Sequence, residues 1–208
     1  MKCLLCNHSA DFLGRFQNRN YNRCTFCASV FLDTNDHPDL SKEKERYNLH
    51  QNNTDNSGYL KFLSPLLDAV SKNHTPADLG LDYGSGPNPV FTNSLQRKNY
   101  QIVSYDPIYA NTYTFTEKKY NYIVCCEVIE HFHNPQIEFN RLRELLANKG
   151  KLYIKTNLLL ETIEFKNWWY KNDYTHTFFY TERALLYIKE NFAFNDLKIH
   201  KDYIVFEA

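Results

Sequence analysis

The sequence predicts an α/β protein with a mostly parallel sheet and a small cysteine-bearing module at its start. After Pro76, short apolar runs bounded by Gly, Pro and Asn alternate with helical patterns, as in successive βα units. A glycine-rich turn follows the first of these runs, which is typical of a ligand-binding α/β sheet. Two Cys-x-x-Cys pairs precede the whole pattern.

The elements are predicted in chain order from these patterns. We expect a zinc-binding module over 1–40, a helical cap or linker over 41–75, and a cofactor-binding domain over 76–208. The cap contains a charged helical stretch and an apolar one, separated by a polar linker. Strands are predicted near 78–83, 101–105, 122–127 and 150–156, helices near 89–98, 135–147 and 181–191, and closing strands near 196–199 and 203–207.

The composition limits the function classes. Hydrophobic residues make up 43% of the 208 and charged residues 23%, which argues against disorder and coiled coil. Lys+Arg and Asp+Glu number 24 each, so no surplus positive charge is present to hold a phosphate backbone. No apolar run is long enough for a membrane span, and the first residues lack a signal-peptide pattern. We expect a cytoplasmic protein with a small-molecule partner, without nucleic acid or membrane.

Four cysteines form two pairs with the spacing of a structural zinc site. Cys3 and Cys6 are followed by Cys24 and Cys27, with 17 residues between the two pairs. Four thiolates can close a tetrahedron around Zn²⁺ and leave no open position. Two disulfides are the alternative, which a reducing cytosol disfavours, and His8 is a substitute for one thiolate.

The most informative segment is the glycine-rich turn. Gly84 and Gly86 stand between a predicted strand and a predicted helix, where a ligand can approach the backbone and the helix amino terminus. Asp106 closes the next strand, where an acid can accept hydrogen bonds from ribose hydroxyls. These features indicate a cofactor that carries a nucleoside. Pro89 replaces the third glycine of the dinucleotide fingerprint, which weakens an NAD or FAD interpretation.

The segment Leu81-Asp-Tyr-Gly-Ser-Gly86 resembles the first motif of class I S-adenosylmethionine (SAM) methyltransferases. Asp106, the run 120–132 and Lys149-Gly150 resemble later motifs of the same class in the same order. With matches over 45–63 and 169–180, the chain looks like a bacterial family of such enzymes with an amino-terminal four-cysteine motif. The resemblance implies a Rossmann-like sheet and a SAM site at Asp82, Tyr83, Gly84, Ser85, Gly86, Asp106, Pro107 and Glu127.

One feature departs from the common pattern of that class. Only 15 residues separate Asp106 from Tyr122, too few for a full helix, strand and loops. We therefore expect the third strand of the sheet to be reduced or missing. Pro107, Ile108 and Tyr109 are the nearest apolar candidates for contact with adenine.

Methyl transfer mainly requires alignment, exclusion of water and, for some acceptors, removal of a proton. We predict His176 as the base and Asp173 as its orienting partner, because they lie three residues apart in an aromatic loop. Glu127 and His131, beside the fourth-strand motif, are further catalytic candidates, although Glu130 and His131 fit helix capping about as well. Substrate contacts are predicted at Tyr47, His50, Trp169, Tyr170 and Tyr180.

Three functions remain open, and a nicotinamide oxidoreductase is a fourth that the incomplete dinucleotide fingerprint disfavours. The first is a SAM-dependent methyltransferase acting on a small molecule that the sequence does not identify. The second is an rRNA or tRNA methyltransferase that grips RNA with the zinc module, which the balanced charge disfavours. The third is a SAM-binding zinc interaction module without catalysis.

Overall fold

A computed structural model describes residues 1–49, 57–111 and 113–208. The strands are β1 Ala10–Phe16, β2 Arg19–Cys24, β3 Val30–Leu32, β4 Gly80–Tyr83, β5 Ile102–Tyr105, β6 Tyr120–Cys126, β7 Leu146–Lys155, β8 Phe178–Phe179, β9 Asp196–Ile199 and β10 Ile204–Glu207. The helices of the same residues are α1 Leu40–Asn48, α2 Ser57–Asn73, α3 Val90–Gln96, α4 Pro135–Leu145 and α5 Glu182–Asn191. The predicted α/β class is confirmed.

The larger sheet of the described residues has six strands in the order β5-β4-β6-β7-β10-β9. Strands β5, β4, β6 and β7 are parallel, and β10 is antiparallel to both β7 and β9. Between β5 and β6 the described residues contain a 3-10 turn, Tyr113–Glu117, and no strand. Strand β5 is therefore the edge in this part of the chain, as the short connection predicts.

The smaller sheet lies outside the βα pattern. Its order is β1-β2-β3-β8, and all three of its pairings are antiparallel. The fourth strand, β8, comes from the segment before α5, where Val30 pairs with Phe179 and Phe31 with Phe178. The amino-terminal strands are thus joined by residues from the far end of the chain. The boundaries 1–40, 41–75 and 76–208 stay a prediction.

Helices cover both faces of the larger sheet. Side chains alternate along its central strands, so each face presents apolar side chains for a helix to bury. Tyr122 and Val124 of β6 pack with apolar residues of α2 and α3. Ile123 and Cys125 face the other way, into a core shared with α4 and α5. Burial on both faces explains the continuous apolar run of this strand. Within the described residues, no helix has the length and apolar character needed to cross a membrane.

Two helix starts follow from local chemistry. The side chain of Asn134 accepts a hydrogen bond from the Ile137 N–H, and Pro135 occupies the first turn of α4. Thr181 caps α5 in the same way, because its hydroxyl accepts from the Ala184 N–H. These caps fix where α4 begins after β6 and where α5 begins after β8. They thereby fix the position of the polar residues between each strand and its helix.

Candidate functional site

A cavity of about 1010 Å³ opens at the carboxyl ends of β4, β5 and β6. This edge is where open α/β sheets bind ligands, because the loops that follow parallel strands meet there. The predicted site residues that line the cavity are Tyr47, Tyr83, Gly84, Ser85, Gly86, Asp106, Pro107, Glu127, His131, Trp169, Tyr170, Asp173 and His176. The structure therefore brings together residues from five separate parts of the sequence.

The glycine turn forms the cavity wall beyond β4. Gly84 has φ +82° and Gly86 has φ +67°, a region that favours glycine. A Cβ at Gly84 would lie 2.6 Å from the Val128 side chain, so this position has no room for one. A Cβ at Gly86 would meet no atom within 4 Å, so a ligand can approach its backbone from the cavity side.

Asp106 holds the turn in place and faces the same cavity. Its Oδ2 accepts a hydrogen bond of 2.9 Å from the Gly86 N–H, and its Oδ1 accepts from the N–H groups of Ile108 and Tyr109. The side chain is only 8% exposed. A carboxylate has about four lone-pair sites, and the three N–H groups occupy three of them, so one hydroxyl donor can still be received at Oδ2 from the cavity.

Asp82 and Tyr83 have different surroundings from the glycines that follow them. Asp82 is buried, does not line the cavity, and accepts a 2.8 Å hydrogen bond from the Thr92 hydroxyl in α3. Burial raises the pKa of Asp82 to about 6, while the hydrogen bonds from Thr92 lower it. The Tyr83 hydroxyl donates to Glu138 and lies 3.2 Å from Arg141, and both of these side chains also line the cavity.

The opposite wall carries two glutamates that share one tyrosine hydroxyl. The Tyr170 hydroxyl contacts Glu130 Oε1 and lies 3.1 Å from Glu127 Oε2. The Thr156 hydroxyl donates to Glu130 Oε2 over 3.0 Å. Glu130 is fully buried, whereas Glu127 lines the cavity and has φ +52°, a strained value for a residue other than glycine.

The surroundings in this wall raise the pKa of both Glu127 and Glu130. Burial raises the pKa of Glu127 to about 7, against the hydrogen bond from Tyr170 and the charge of Lys155. Burial and the nearby Glu127 charge raise the pKa of Glu130 well above its usual range. Burial also lowers the pKa of His176, against the attraction of Asp173. A neutral imidazole is therefore favoured near neutral pH.

Two histidines lie beside the glutamates, each held by a backbone carbonyl. His131 Nδ1 is 3.0 Å from the Thr175 carbonyl oxygen, and His176 Nδ1 is 2.7 Å from that of Tyr170. The ring centroids of the two imidazoles are 4.8 Å apart. The ring of Tyr47 packs edge-on against His131, with centroids 5.4 Å apart.

The carboxylate of Asp173, predicted to orient His176, has other hydrogen-bond partners in the described part of the chain. Its Oδ1 accepts hydrogen bonds from the Thr175 N–H and hydroxyl, and its Oδ2 pairs with Arg46 of α1 at 2.8 Å. Burial raises the pKa of Asp173, but these partners outweigh burial and hold it well below its usual range. The carbonyl of Tyr170 takes the orienting role instead.

Helix α1 covers this side of the cavity. Besides the Arg46 ion pair, Glu43 binds His133 Nε2 at 2.8 Å, and the Tyr174 hydroxyl donates to the Lys42 carbonyl. The sequence analysis missed Arg46, Thr156 and Arg141, whose partners are distant in sequence and leave no local pattern. His50, predicted as a substrate contact, lies outside the described residues.

The remaining aromatic candidates separate into surface and core. Trp169 is 65% exposed and lines the cavity, whereas Trp168 is 8% exposed and packs in a core cluster. Tyr180 does not line the cavity. It is buried, and its hydroxyl donates to the Ile129 carbonyl over 3.0 Å, which fixes the segment before His131.

The four cysteines form a second cluster, outside the cavity. Cys3, Cys6, Cys24 and Cys27 are buried free thiols whose sulfur atoms lie within 4.8 Å of one another. The Cys3–Cys27 sulfur separation is 3.8 Å, and that of Cys6 and Cys24 is 3.4 Å. The N–H groups of Phe26 and Cys27 also donate to the Cys24 sulfur. His8 instead stacks on Phe26, with centroids 4.0 Å apart.

Thr177 links the Glu130 segment of the cavity wall to the sheet that carries the cysteines. Its N–H donates to the Glu130 carbonyl, and its own carbonyl accepts from the Leu32 N–H at the end of β3. The Thr181 hydroxyl also donates to the Cys27 carbonyl over 2.6 Å. The histidine-bearing segment is therefore anchored on the cysteine-bearing sheet.

Comparison with solved structures shows the same fold in known methyltransferases. The Burkholderia thailandensis 1,6-didemethyltoxoflavin-N1-methyltransferase, solved with 1,6-didemethyltoxoflavin and S-adenosylhomocysteine, aligns with a TM-score of 0.56 at 12% identity, over 96% of this chain and 98% of its own. Human N-acetylserotonin methyltransferase in complex with SAM aligns with a TM-score of 0.51 at 13% identity, over 71% of this chain and 55% of its own.

An O-methyltransferase family protein from B. thailandensis aligns with a TM-score of 0.54 at 11% identity, over 79% of this chain. The chain spans 61% of the length of that protein and 55% of the human enzyme. Among curated proteins, no match to the sequence is found. A family model described as a methyltransferase domain matches residues 50–199. That match extends over more than half of the sequence, and the chain therefore belongs to this methyltransferase-domain family.

Proposed function

We propose that the chain transfers a methyl group from SAM to a small acceptor bound in the cavity. The observation that carries the proposal is the arrangement of Gly86 and Asp106. The open side of Gly86 and the Asp106 carboxylate face one cavity at the carboxyl edge of the sheet. That arrangement suits a nucleoside, because a ribose can donate a hydroxyl to the acid while the rest of the ligand passes along the glycine backbone.

SAM would supply an electrophilic methyl group on a positively charged sulfur. The residues of this chain would hold the cofactor through Gly84, Ser85, Gly86 and Asp106, with Pro107 and Ile108 beside the cavity for the adenine. Asp82 contributes indirectly, since its bond to Thr92 fixes the start of α3 beneath the turn. Glu127 and the aromatic side chains opposite would exclude water and set the direction of attack.

The acceptor is proposed to lie against the wall that contains Glu127, Tyr170 and His176. Because the Tyr170 carbonyl accepts from His176 Nδ1, the neutral ring has its lone pair on Nε2. That lone pair can take a proton from an acceptor or bind a cation. Tyr47 and Trp169, at the cavity edge, are suited to pack against an organic acceptor.

We also propose that the four cysteines hold one structural zinc ion. Zinc–sulfur bonds of about 2.3 Å in a tetrahedron place sulfurs about 3.8 Å apart. The separations of 3.8 and 3.4 Å between paired sulfurs fit such a shell, and donation of two N–H groups to the Cys24 sulfur would stabilise a thiolate. Four ligands close the shell, so the ion would support the fold and take no part in methyl transfer.

The test begins with calorimetric titration of the purified protein with SAM, S-adenosylhomocysteine and NADH. SAM and S-adenosylhomocysteine are expected to bind one per chain and to compete with each other, while NADH does not bind. Transfer of a radiolabelled methyl group to a panel of hydroxyl and amine acceptors then identifies the acceptor class. Failure of folded, metal-loaded protein to bind SAM would overturn the proposed function.

A further inference from the structure

Three donor groups converge at one point of the cavity wall. One ligand-type atom each from Glu130, His131 and His176 lies within 4.8 Å of the other two. Two of these groups, Glu130 and His176, are buried, and both imidazoles line the cavity. A single proton-accepting base would need only one of the three groups, so their convergence calls for a ligand with several bonds.

The orientation of both imidazoles suits metal binding. A carbonyl oxygen can only accept, so each Nδ1 that contacts one carries the ring proton. In the neutral ring, the lone pair is then on Nε2. Histidines that bind metals through one nitrogen almost always donate the other N–H to such a partner, which fixes both tautomer and ring direction.

The carboxylates also have more acceptor atoms than donors. Tyr170 offers one hydroxyl proton to Glu127 and Glu130, and Thr156 offers one more to Glu130. No Lys or Arg forms a salt bridge with Glu130 in the described part of the chain. A divalent cation bound beside Glu130 would displace the carboxyl proton and supply the positive charge that the buried carboxylate then needs.

The donor set favours a particular class of ion. Two imidazoles and one carboxylate suit first-row divalent ions such as Mn²⁺, Fe²⁺, Co²⁺ and Zn²⁺, whereas Mg²⁺ and Ca²⁺ prefer oxygen donors. Metal–ligand bonds of about 2.1 Å require donor separations of about 3.4 Å, so binding would draw the three atoms together by side-chain rotation. With three protein ligands, coordination positions stay open toward the cavity for water or an acceptor oxygen.

We propose that Glu130, His131 and His176 form a binding site for a first-row divalent cation in the wall of the acceptor cavity. The site deepens the proposed function, on which its role rests: the ion would hold an acceptor oxygen beside the methyl donor. The Tyr170 hydroxyl is a positioning group, since it touches both glutamates. The thiolate cluster at Cys3, Cys6, Cys24 and Cys27 is a separate site with a closed ligand shell.

The experiment measures Mn²⁺ binding to the full chain, purified with zinc in the cysteine cluster. Mn²⁺ is the probe because it prefers nitrogen and oxygen ligands and is detected by electron paramagnetic resonance without interference from zinc. The wild-type protein is expected to bind one Mn²⁺. Glu130→Gln, which keeps side-chain volume, and His176→Ala should each weaken Mn²⁺ binding by at least about 100-fold, since even loss of an outer-shell partner typically costs 10–100-fold.

His133→Ala is the matched control. His133 also lines the cavity, two residues from His131, but its Nε2 pairs with Glu43. Its replacement should leave Mn²⁺ affinity unchanged. Circular dichroism and SAM titration of each variant report whether the fold is retained.

Two results would overturn the proposal: wild-type protein that binds no Mn²⁺, or equal Mn²⁺ affinity in wild type, Glu130→Gln and His176→Ala. The outcome is separable from that of the proposed function. A protein that binds SAM but no Mn²⁺ refutes only the cation site. A protein that binds Mn²⁺ but no SAM refutes only the methyl-donor assignment.

Discussion

The cysteine cluster and the cavity wall concentrate polar side chains in opposite ways. Cys3 and Cys6 precede β1, Cys24 ends β2 and Cys27 follows it, and all four are buried with their sulfur atoms together. Glu127 and His131 follow β6, His176 precedes β8, and all three line an open cavity. A closed set of ligands can only stabilise, whereas an open set keeps positions for a ligand that changes. The cysteine cluster is therefore suited to stabilise the fold, and the cavity residues are suited to bind a ligand.

The largest effect is expected from breaking the closed cluster. Cys24→Ser should release the zinc ion and unfold the four-stranded sheet, because structural zinc contributes on the order of 10 kcal/mol to small domains. Zinc content by mass spectrometry and hydrogen exchange over residues 10–32 measure this. Cys126→Ser, a cysteine outside the cluster, should keep its zinc. Stable metal-free wild-type protein with freely titratable thiols would contradict the zinc proposal.

Changes to the residues that line the cavity are expected to affect turnover and to leave the fold intact. His176→Ala removes the Nε2 lone pair, whether it takes a proton from the acceptor or binds the proposed cation, and should reduce turnover by about 10² to 10⁴, the range for loss of a catalytic acid or base, while SAM affinity stays nearly constant. Turnover with the identified acceptor and SAM titration provide the two readouts. His200→Ala, at an exposed position that does not line the cavity, is the matched variant. Full activity in His176→Ala would assign this histidine to structure alone.

A smaller effect is expected at the cofactor end of the cavity. Asp106→Ala should weaken SAM binding by about 1–3 kcal/mol, because a ribose hydroxyl and three backbone N–H groups lose their acceptor. Asp106→Asn keeps the size and loses the charge. Asp11→Ala, an exposed acid on β1, is the control in calorimetry. Unchanged affinity in a folded Asp106→Ala protein would reject the ribose assignment.

The smallest effect concerns a buried histidine that belongs to neither cluster. His74 Nε2 lies 3.0 Å from the Tyr153 hydroxyl, and burial lowers the pKa of His74 to about 4. With an unfolded pKa of about 6.5, the unfolded chain binds more protons between these values. The contribution of neutral His74 is therefore complete above pH 6.5 and is lost as pH falls toward 4.

The free energy of unfolding should accordingly depend less on pH in His74→Gln than in the wild type. Denaturant titrations at several values between pH 7 and pH 4.5 measure the difference between the two proteins. Any proposed zinc ion that acid releases is lost from both proteins alike, so its effect cancels in that difference. Parallel pH profiles would show that His74 does not titrate in this range.

The sequence predicted what local patterns determine. Apolar runs ending at Tyr83 and Tyr105, and the glycine turn between them, depend on neighbours in the chain, and the structure places them as expected. Strand β7 begins at Leu146, earlier than predicted, because Leu146 pairs with Tyr120 before a register shift. Such a bulge depends on the partner strand and leaves no mark in the apolar pattern.

Local patterns in the sequence do not predict pairings between distant parts of the chain. Strand β8 has two residues and exists because β3 offers an unpaired edge. Closeness in sequence predicts His176 as the partner of the Asp173 carboxylate, whereas the structure pairs it with Arg46, far earlier in the chain. The fold could therefore be predicted in outline, whereas the partners within the candidate site required the tertiary structure.

The pairing of β8 with β3 also sets the order in which the molecule can be completed as it leaves the ribosome. All four cysteines and β1 to β3 emerge within the first 32 residues, and amino-terminal parts generally fold first during synthesis. Their sheet nevertheless stays open along β3 until Thr177 and β8 emerge, after the central strands of the larger sheet. When that edge is filled, the same docking event brings His176 to Glu130. The wall of the cavity that contains His176 would thus be completed only after β8 has been translated.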